Sequence, residues 1–94
     1  MDALKFRKSA TFIAKRNVSA RVERVLVKFQ YATGELGLVY CTSGKPTADD
    51  LEDCEIMCAE LIAEFPEIRK AETLCIPSEE YEFRNNQEEV FSRS

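Results

Sequence analysis

The sequence predicts an α+β domain in which a mainly antiparallel sheet of about four strands carries one long helix on one face. Two observations favour this fold class. Apolar and polar residues alternate over several segments, as they do in half-buried strands, whereas one segment has the three- and four-residue spacing of an amphipathic helix. The chain has 94 residues, a length that suits a single domain with a small core.

The strands are predicted from apolar residues that fall on every second position of a segment. The first covers residues 3–15, with a helix as the alternative, because its apolar residues are mostly of one parity: Leu4, Phe6, Ala10, Phe12 and Ala14. Residues 21–31 and 36–42 form a predicted hairpin, whose turn contains Gly34. Residues 69–76 form a further strand with Leu74 and Ile76 on one face, and residues 79–83 form a short acidic strand.

The helix is predicted between Thr47 and Phe65. Thr47 is a favourable N-cap, Asp50 can complete a capping box, and Pro66 ends the helix. The predicted apolar stripe contains Leu51, Cys54, Cys58, Leu61, Ile62 and Phe65. The element order is therefore β-β-β-α-β. The predicted domain covers residues 1–86, and residues 87–94 form a polar C-terminal tail unless Val90 and Phe91 dock.

The composition argues against several chemistries. The chain contains no His, which is the commonest acid–base group and metal ligand. Its four cysteines lack the paired spacing of a zinc site and are predicted to be reduced thiols in the core: Cys41, Cys54, Cys58 and Cys75. No segment resembles a secretory signal or the roughly 20 apolar residues of a membrane span. We therefore expect a non-catalytic cytoplasmic protein that uses no cofactor, no metal and no membrane.

The charge is divided along the chain. Residues 1–46 contain nine Lys and Arg against three Asp and Glu, whereas residues 47–94 contain four against fourteen. Glu60 and Glu64 repel one another near the helix C-terminus, where the helix dipole also disfavours acids. An acidic surface that persists despite this cost indicates a basic partner. The predicted partner-binding residues, with Tyr81 and Phe83 as aromatic anchors, are Asp49, Asp53, Glu60, Glu64, Glu67, Glu79, Glu80, Tyr81, Glu82 and Phe83.

The chain resembles the immunity proteins of bacterial toxin systems, which include colicin and contact-dependent inhibition immunity proteins. The resemblance lies in the chain length, in the hairpin that ends Leu38-Val39-Tyr40-Cys41-Thr42, and in the acidic helix that follows. It implies tight one-to-one inhibition of a basic toxin, often a nuclease. Acidic side chains would then mimic phosphate and steer the cationic toxin to its inhibitor.

Other functions remain as alternatives. Basic residues such as Lys5 and Lys8 are interleaved with Phe6, Phe12 and later aromatic residues, a pattern that suits nucleic-acid binding on strands. The protein could instead be an adaptor subunit of another complex or a cysteine-dependent enzyme. An exposed strand edge would also allow a homodimer.

Overall fold

Two helices pack against one face of a four-stranded sheet in the part of the chain that the computed structural model describes, residues 2–82 and 87–93. In chain order the elements are α1 (Ala3–Arg16), β1 (Val22–Gln30), β2 (Glu35–Thr42), α2 (Ala48–Glu64), β3 (Lys70–Pro77), a 3-10 turn (Ser78–Glu80) and β4 (Glu88–Ser92). The α+β class is confirmed. The predicted order β-β-β-α-β is wrong, because the chain begins with a helix and ends with a strand beyond the 3-10 turn.

The sheet is mixed rather than mainly antiparallel. Its strand order is β3-β2-β1-β4, and β1 pairs antiparallel with both β2 and β4. The strand β3 instead runs parallel to β2, with Val39 opposite Leu74 and Cys41 opposite Ile76. The cause is α2, whose 17 residues return the chain to the end of the sheet at which β2 began.

The first predicted strand is the helix α1. Its buried residues are four, three and one positions apart, and they face the core: Phe6, Ala10, Ile13 and Ala14. Leu4 and Phe12, which supported the strand, are 60% and 64% exposed. The Asp2 carboxylate caps the helix by accepting the N–H of Leu4 at 3.0 Å. The helical alternative for this segment is therefore correct.

The predicted start and end of α2 are confirmed, and four of the six residues of the predicted apolar stripe are buried: Cys54, Cys58, Leu61 and Phe65. The Thr47 hydroxyl accepts the N–H of Asp50 at 3.2 Å, and the Asp50 carboxylate accepts the N–H of Thr47 at 2.8 Å. Asp50 and Met57 are buried, whereas Leu51 and Ile62 are largely exposed. The helix has this rotation because Asp50 bonds Arg21 and Met57 lies beneath the Tyr40 hydroxyl.

The C-terminal segment joins the sheet. Val90 in β4 is buried and Phe91 is half-buried, so these two residues dock on the core. The boundary predicted between residues 86 and 87 lies at the edge of the described residues. The prediction of a short acidic strand over residues 79–83 is wrong for residues 79–82, which the structure describes. Glu79 and Glu80 belong to the 3-10 turn, and Tyr81 and Glu82 follow it in an extended connection.

Candidate functional site

The face of the sheet opposite the helices, which we call the open face, has its own small apolar cluster. Leu26, Val39 and Cys41 are buried there, and Ile76 and Tyr81 pack against them. Tyr81 lies on this face because the chain leaves β3 at one edge of the sheet and enters β4 at the other. The open face is therefore partly covered by the chain itself.

A groove of about 480 Å³ lies on the open face beside this connection. Its lining combines an apolar floor with polar and acidic side chains: Val39, Leu74, Ile76, Glu80, Tyr81, Glu82 and Gln87. Leu74 is 51% exposed, although it lies beside buried Val39 in the sheet. Glu80 and Glu82 are both exposed. The groove thus offers an apolar surface with two carboxylates at its rim.

Arg24 holds the connection in place above the sheet. Its guanidinium carbon lies 5.5 Å from the centre of the Tyr81 ring, within range of a cation–π interaction. The same guanidinium binds the Glu89 carboxylate of β4, with an Nη2–Oε2 distance of 2.6 Å. The Tyr81 hydroxyl also donates a hydrogen bond to the Gln87 side chain. These contacts tie the residues that follow β3 to both β1 and β4.

The acidic residues of α2 lie on the helical side of the molecule, where α1 supplies the opposite charge. Glu60 accepts hydrogen bonds from Arg16, whose Nε lies 2.9 Å away, and from the Asn17 side chain at 3.0 Å. These two hydrogen bonds lower the pKa of Glu60. Glu64 accepts the Ser9 hydroxyl at 3.2 Å. The repulsion between Glu60 and Glu64 is therefore offset within the chain, without an external basic partner.

A charge exchange tests the contact between α1 and α2. The single change Glu60→Arg should lower the free energy of unfolding by about 1 kcal/mol, because it places two like charges in contact at a half-exposed site. The double variant Arg16→Glu with Glu60→Arg should recover most of that loss. Chemical denaturation of the four proteins of this double-mutant cycle measures the coupling. A loss in the double variant equal to the sum of the losses in the two single variants would show that this ion pair contributes nothing.

The structure divides the predicted partner-binding residues between two surfaces. Glu80, Tyr81 and Glu82 meet at the groove, and Glu79 is exposed in the adjoining 3-10 turn. On the helical side, Asp49 and Glu64 are exposed on α2, Asp53 and Glu60 are half-buried there, and Glu67 is exposed beyond the helix. Phe83 lies outside the described residues. Partner binding stays a prediction for all of them.

Comparison with known families decides the identity of the chain. The sequence model described as MafI2 immunity protein matches residues 16–94, which include every strand, α2 and the groove. The chain belongs to the MafI2 immunity protein family. It is a toxin-immunity protein of the contact-dependent type, so the predicted resemblance is confirmed. Immunity proteins of this kind bind and neutralise a toxin and are generally non-catalytic. No curated protein matches the chain.

The helix α1 lies almost wholly before the matched region of the immunity protein. Its basic residues were predicted on a nucleic-acid-binding strand, but they project from a helix whose Phe6 is buried. Phe29 is half-buried in the core beside Phe6, with their ring centres 5.6 Å apart. Phe12 is exposed on α1, whereas Tyr31 is exposed in the turn after β1. The aromatic platform predicted for stacking on single-stranded nucleic acid therefore does not form from these residues.

The cysteines of the immunity protein are unpaired. Cys41, Cys54 and Cys58 are buried and Cys75 is half-buried. Burial raises the pKa of each thiol, to about 12 for Cys54 and about 11 for Cys75. Thiols with such pKa values are protonated at neutral pH and are poor nucleophiles. The described residues contain no group of three or more metal-ligating side chains, and none of the helices described is long and apolar enough to span a membrane.

The apolar residues Val39, Leu74 and Ile76 of the groove were not predicted as site residues. The sequence did place Leu74 and Ile76 on one face of a strand. That pattern could not reveal the groove, because Leu74 meets Val39 only through the parallel pairing of β3 with β2. The acidic residues Glu80 and Glu82 could be found from charge alone.

Proposed function

We propose that this immunity protein neutralises a basic, nuclease-type toxin by forming a one-to-one complex through its acidic surfaces. The single observation that carries the proposal is the pair of exposed carboxylates, Glu80 and Glu82, at the rim of an apolar groove in a toxin-immunity protein. A nuclease site attracts phosphate, so carboxylates in a fixed arrangement can take the place of the nucleic acid.

Two acidic surfaces are available for the toxin. The first consists of Glu79, Glu80 and Glu82 around Tyr81, and we propose that it makes the main contact. The second lies on α2 and beyond it, and its members are Asp49, Asp53, Glu60, Glu64 and Glu67. Because Glu60 and Glu64 already bond α1, we propose that the α2 surface mainly steers the toxin. Charges at the rim of an interface act chiefly on the association rate.

The proposed mechanism is occlusion, without catalysis by the immunity protein. Burial keeps the thiols protonated, and a protonated thiol does not attack a substrate. We further propose that the complex forms in the cytoplasm, since four unpaired cysteines suit a reducing compartment. A toxin bound there loses access to nucleic acid for as long as the complex lasts.

Capture of the toxin from the source cell tests this function. The tagged immunity protein is incubated with a nuclease-treated lysate, washed at low salt and eluted with rising salt. The proposal predicts one basic protein at equimolar ratio. When expressed alone, that protein should stop growth and degrade nucleic acid, and co-expression of the immunity protein should suppress both effects. A partner without toxicity would indicate that the chain is an adaptor. Recovery of nucleic acid alone would favour nucleic-acid binding by the basic residues of α1.

Charge reversal at the rim tests the contact itself. The double variant Glu80→Lys with Glu82→Lys should associate with the captured toxin about tenfold more slowly than wild type at low salt. High salt should reduce this difference in association rate, because it screens the charges. Glu35→Lys with Glu88→Lys is the matched control, because it also reverses two exposed acids and neither of them lines the groove. An association rate that is equal in both variants would contradict the rim as the contact.

A further inference from the structure

We infer that the groove on the open face is the docking site for an apolar side chain that the toxin presents between basic residues. This inference rests on the proposed function and adds to it the chemistry of the toxin element that is bound. Interfaces typically concentrate their binding energy on a few apolar or aromatic groups in a desolvated centre, surrounded by a polar rim. The groove has both parts of that arrangement.

The floor of the groove supplies the apolar centre. Val39 is buried, Ile76 is half-buried, and Leu74 leaves about half of its surface in contact with solvent. Tyr81 adds an aromatic wall whose ring packs on the buried cluster beneath. An apolar side chain entering the groove would cover Leu74 and extend that cluster outward. Removal of this surface from water favours binding in proportion to the area that is buried.

The rim determines the charge of the occupant. Among the described residues, Glu80 and Glu82 line the groove, and Arg24, a cation close to it, is already engaged by Glu89 and the Tyr81 ring. The other half of the open face is different, because Lys28 and Lys70 lie there with Glu35 and Glu72 around a smaller cavity of about 190 Å³. The acidic excess is therefore local to the groove, and it favours Lys or Arg beside the apolar group of the toxin.

The groove is held in shape before the toxin arrives. The Ser78 hydroxyl donates to the carbonyl oxygen of Thr42 at 3.1 Å, which fixes the start of the 3-10 turn to the end of β2. The Arg24 guanidinium of β1 holds the Tyr81 ring by a cation–π contact. A surface that needs little ordering on binding retains more of its interaction energy as affinity.

The same charges argue against a second copy of the chain as the occupant. A two-fold contact places the same surface of each copy against the other, so Glu80 and Glu82 would face their own equivalents. Like charges opposed across an interface are unfavourable. A toxin with basic residues has no such conflict.

The experiment compares two leucines of equal exposure. Leu74 is 51% exposed in the groove, and Leu51 is 52% exposed on α2, at the other side of the molecule. We expect Leu74→Gln to weaken affinity for the captured toxin at least tenfold, mainly through faster dissociation, whereas Leu51→Gln should stay within about twofold of wild type. Surface plasmon resonance measures both rates, and thermal unfolding of each variant verifies that it is folded.

The outcomes separate the groove from the function. If the wild-type protein binds and neutralises the toxin but Leu74→Gln binds it as well as Leu51→Gln does, the groove is not the docking site, and the proposed function is still supported. If the wild-type protein binds no toxin, both the proposed function and the proposed docking site are wrong. A concentration-dependent dimer that Leu74→Gln abolishes, measured by sedimentation, would assign the groove to a second copy and overturn the toxin as its occupant.

Discussion

The variant Asp50→Ala is expected to lower the free energy of unfolding by about 3 kcal/mol, the loss that removal of a buried, multiply bonded carboxylate produces. Asp50 is 1% exposed at the start of α2. Its carboxylate accepts the N–H of Thr47 and the Nε–H of Arg21, the latter at 3.0 Å. The change removes one half of the capping box and leaves the Arg21 guanidinium without this partner.

The same carboxylate should contribute a pH dependence to stability. Burial disfavours its ionised form, but the hydrogen bonds from Thr47 and Arg21 outweigh burial and hold the pKa of Asp50 below its ordinary value. In the unfolded chain an aspartate titrates near pH ~3.9. Because the folded pKa is the lower of the two, the stabilisation is complete above that pH and disappears as pH falls through the folded pKa. The variant Asp50→Asn should lack this acid-dependent component.

Denaturant unfolding at neutral pH and at a pH below ~3.9 measures both effects. Asp49→Ala is the matched control, because Asp49 is an exposed acid in the same first turn of α2. It should cost no more than about 0.5 kcal/mol. Equal losses for Asp49→Ala and Asp50→Ala would mean that the helix dipole, rather than the bonds of Asp50, determines stability here.

The variant Gly34→Ala should destabilise the protein by about 3 kcal/mol, because a side chain meets both a conformational and a steric obstacle. Gly34 has φ of +76° in the turn between β1 and β2. A Cβ atom there would lie 2.8 Å from the Glu67 carbonyl oxygen and 3.0 Å from Cγ of Arg69. The Gly34 carbonyl oxygen also accepts the N–H of Arg69 at 2.7 Å, so the turn cannot move away without losing that bond.

Gly44 provides the control for this substitution. Its φ is +78°, almost the same as that of Gly34, but no atom lies within 4 Å of an added Cβ among its described surroundings. Gly44→Ala should therefore cost only the conformational part, about 1 kcal/mol. Thermal and chemical unfolding of the two variants separates the contributions. A loss at Gly34 no larger than the loss at Gly44 would show that the turn relaxes around the new methyl group.

The parts of the fold that depend on neighbouring residues could be predicted from the sequence. The capping box of Thr47 and Asp50, the end of α2 before Pro66 and the turn at Gly34 are determined within a few residues. The helical structure of α1 is not determined in this way, because its apolar residues partly fit both the alternation of a strand and the spacing of a helix. The buried face of α1 includes Ile13, the residue that does not fit the strand pattern, and α1 also packs against α2.

The candidate site could be predicted only in part for a similar reason. The charge of Glu80 and Glu82 is visible in the sequence, whereas the position of the groove depends on which strands are neighbours. The compensation of Glu60 by Arg16 was also hidden, since the two residues are far apart in the chain. The repulsion at Glu60 therefore predicts an external basic partner, whereas the observed partner, Arg16, is intramolecular.

The strand order has a consequence for the synthesis of the protein. The central strands β1 and β2 come from the first half of the chain, and the outer strands β3 and β4 come from the second half. A ribosome therefore releases the hairpin with both of its edges unpaired. Unpaired edges with apolar side chains readily pair with other chains. Until translation reaches β4, the nascent protein is expected to be most vulnerable to aggregation at the strands that later form the middle of its sheet.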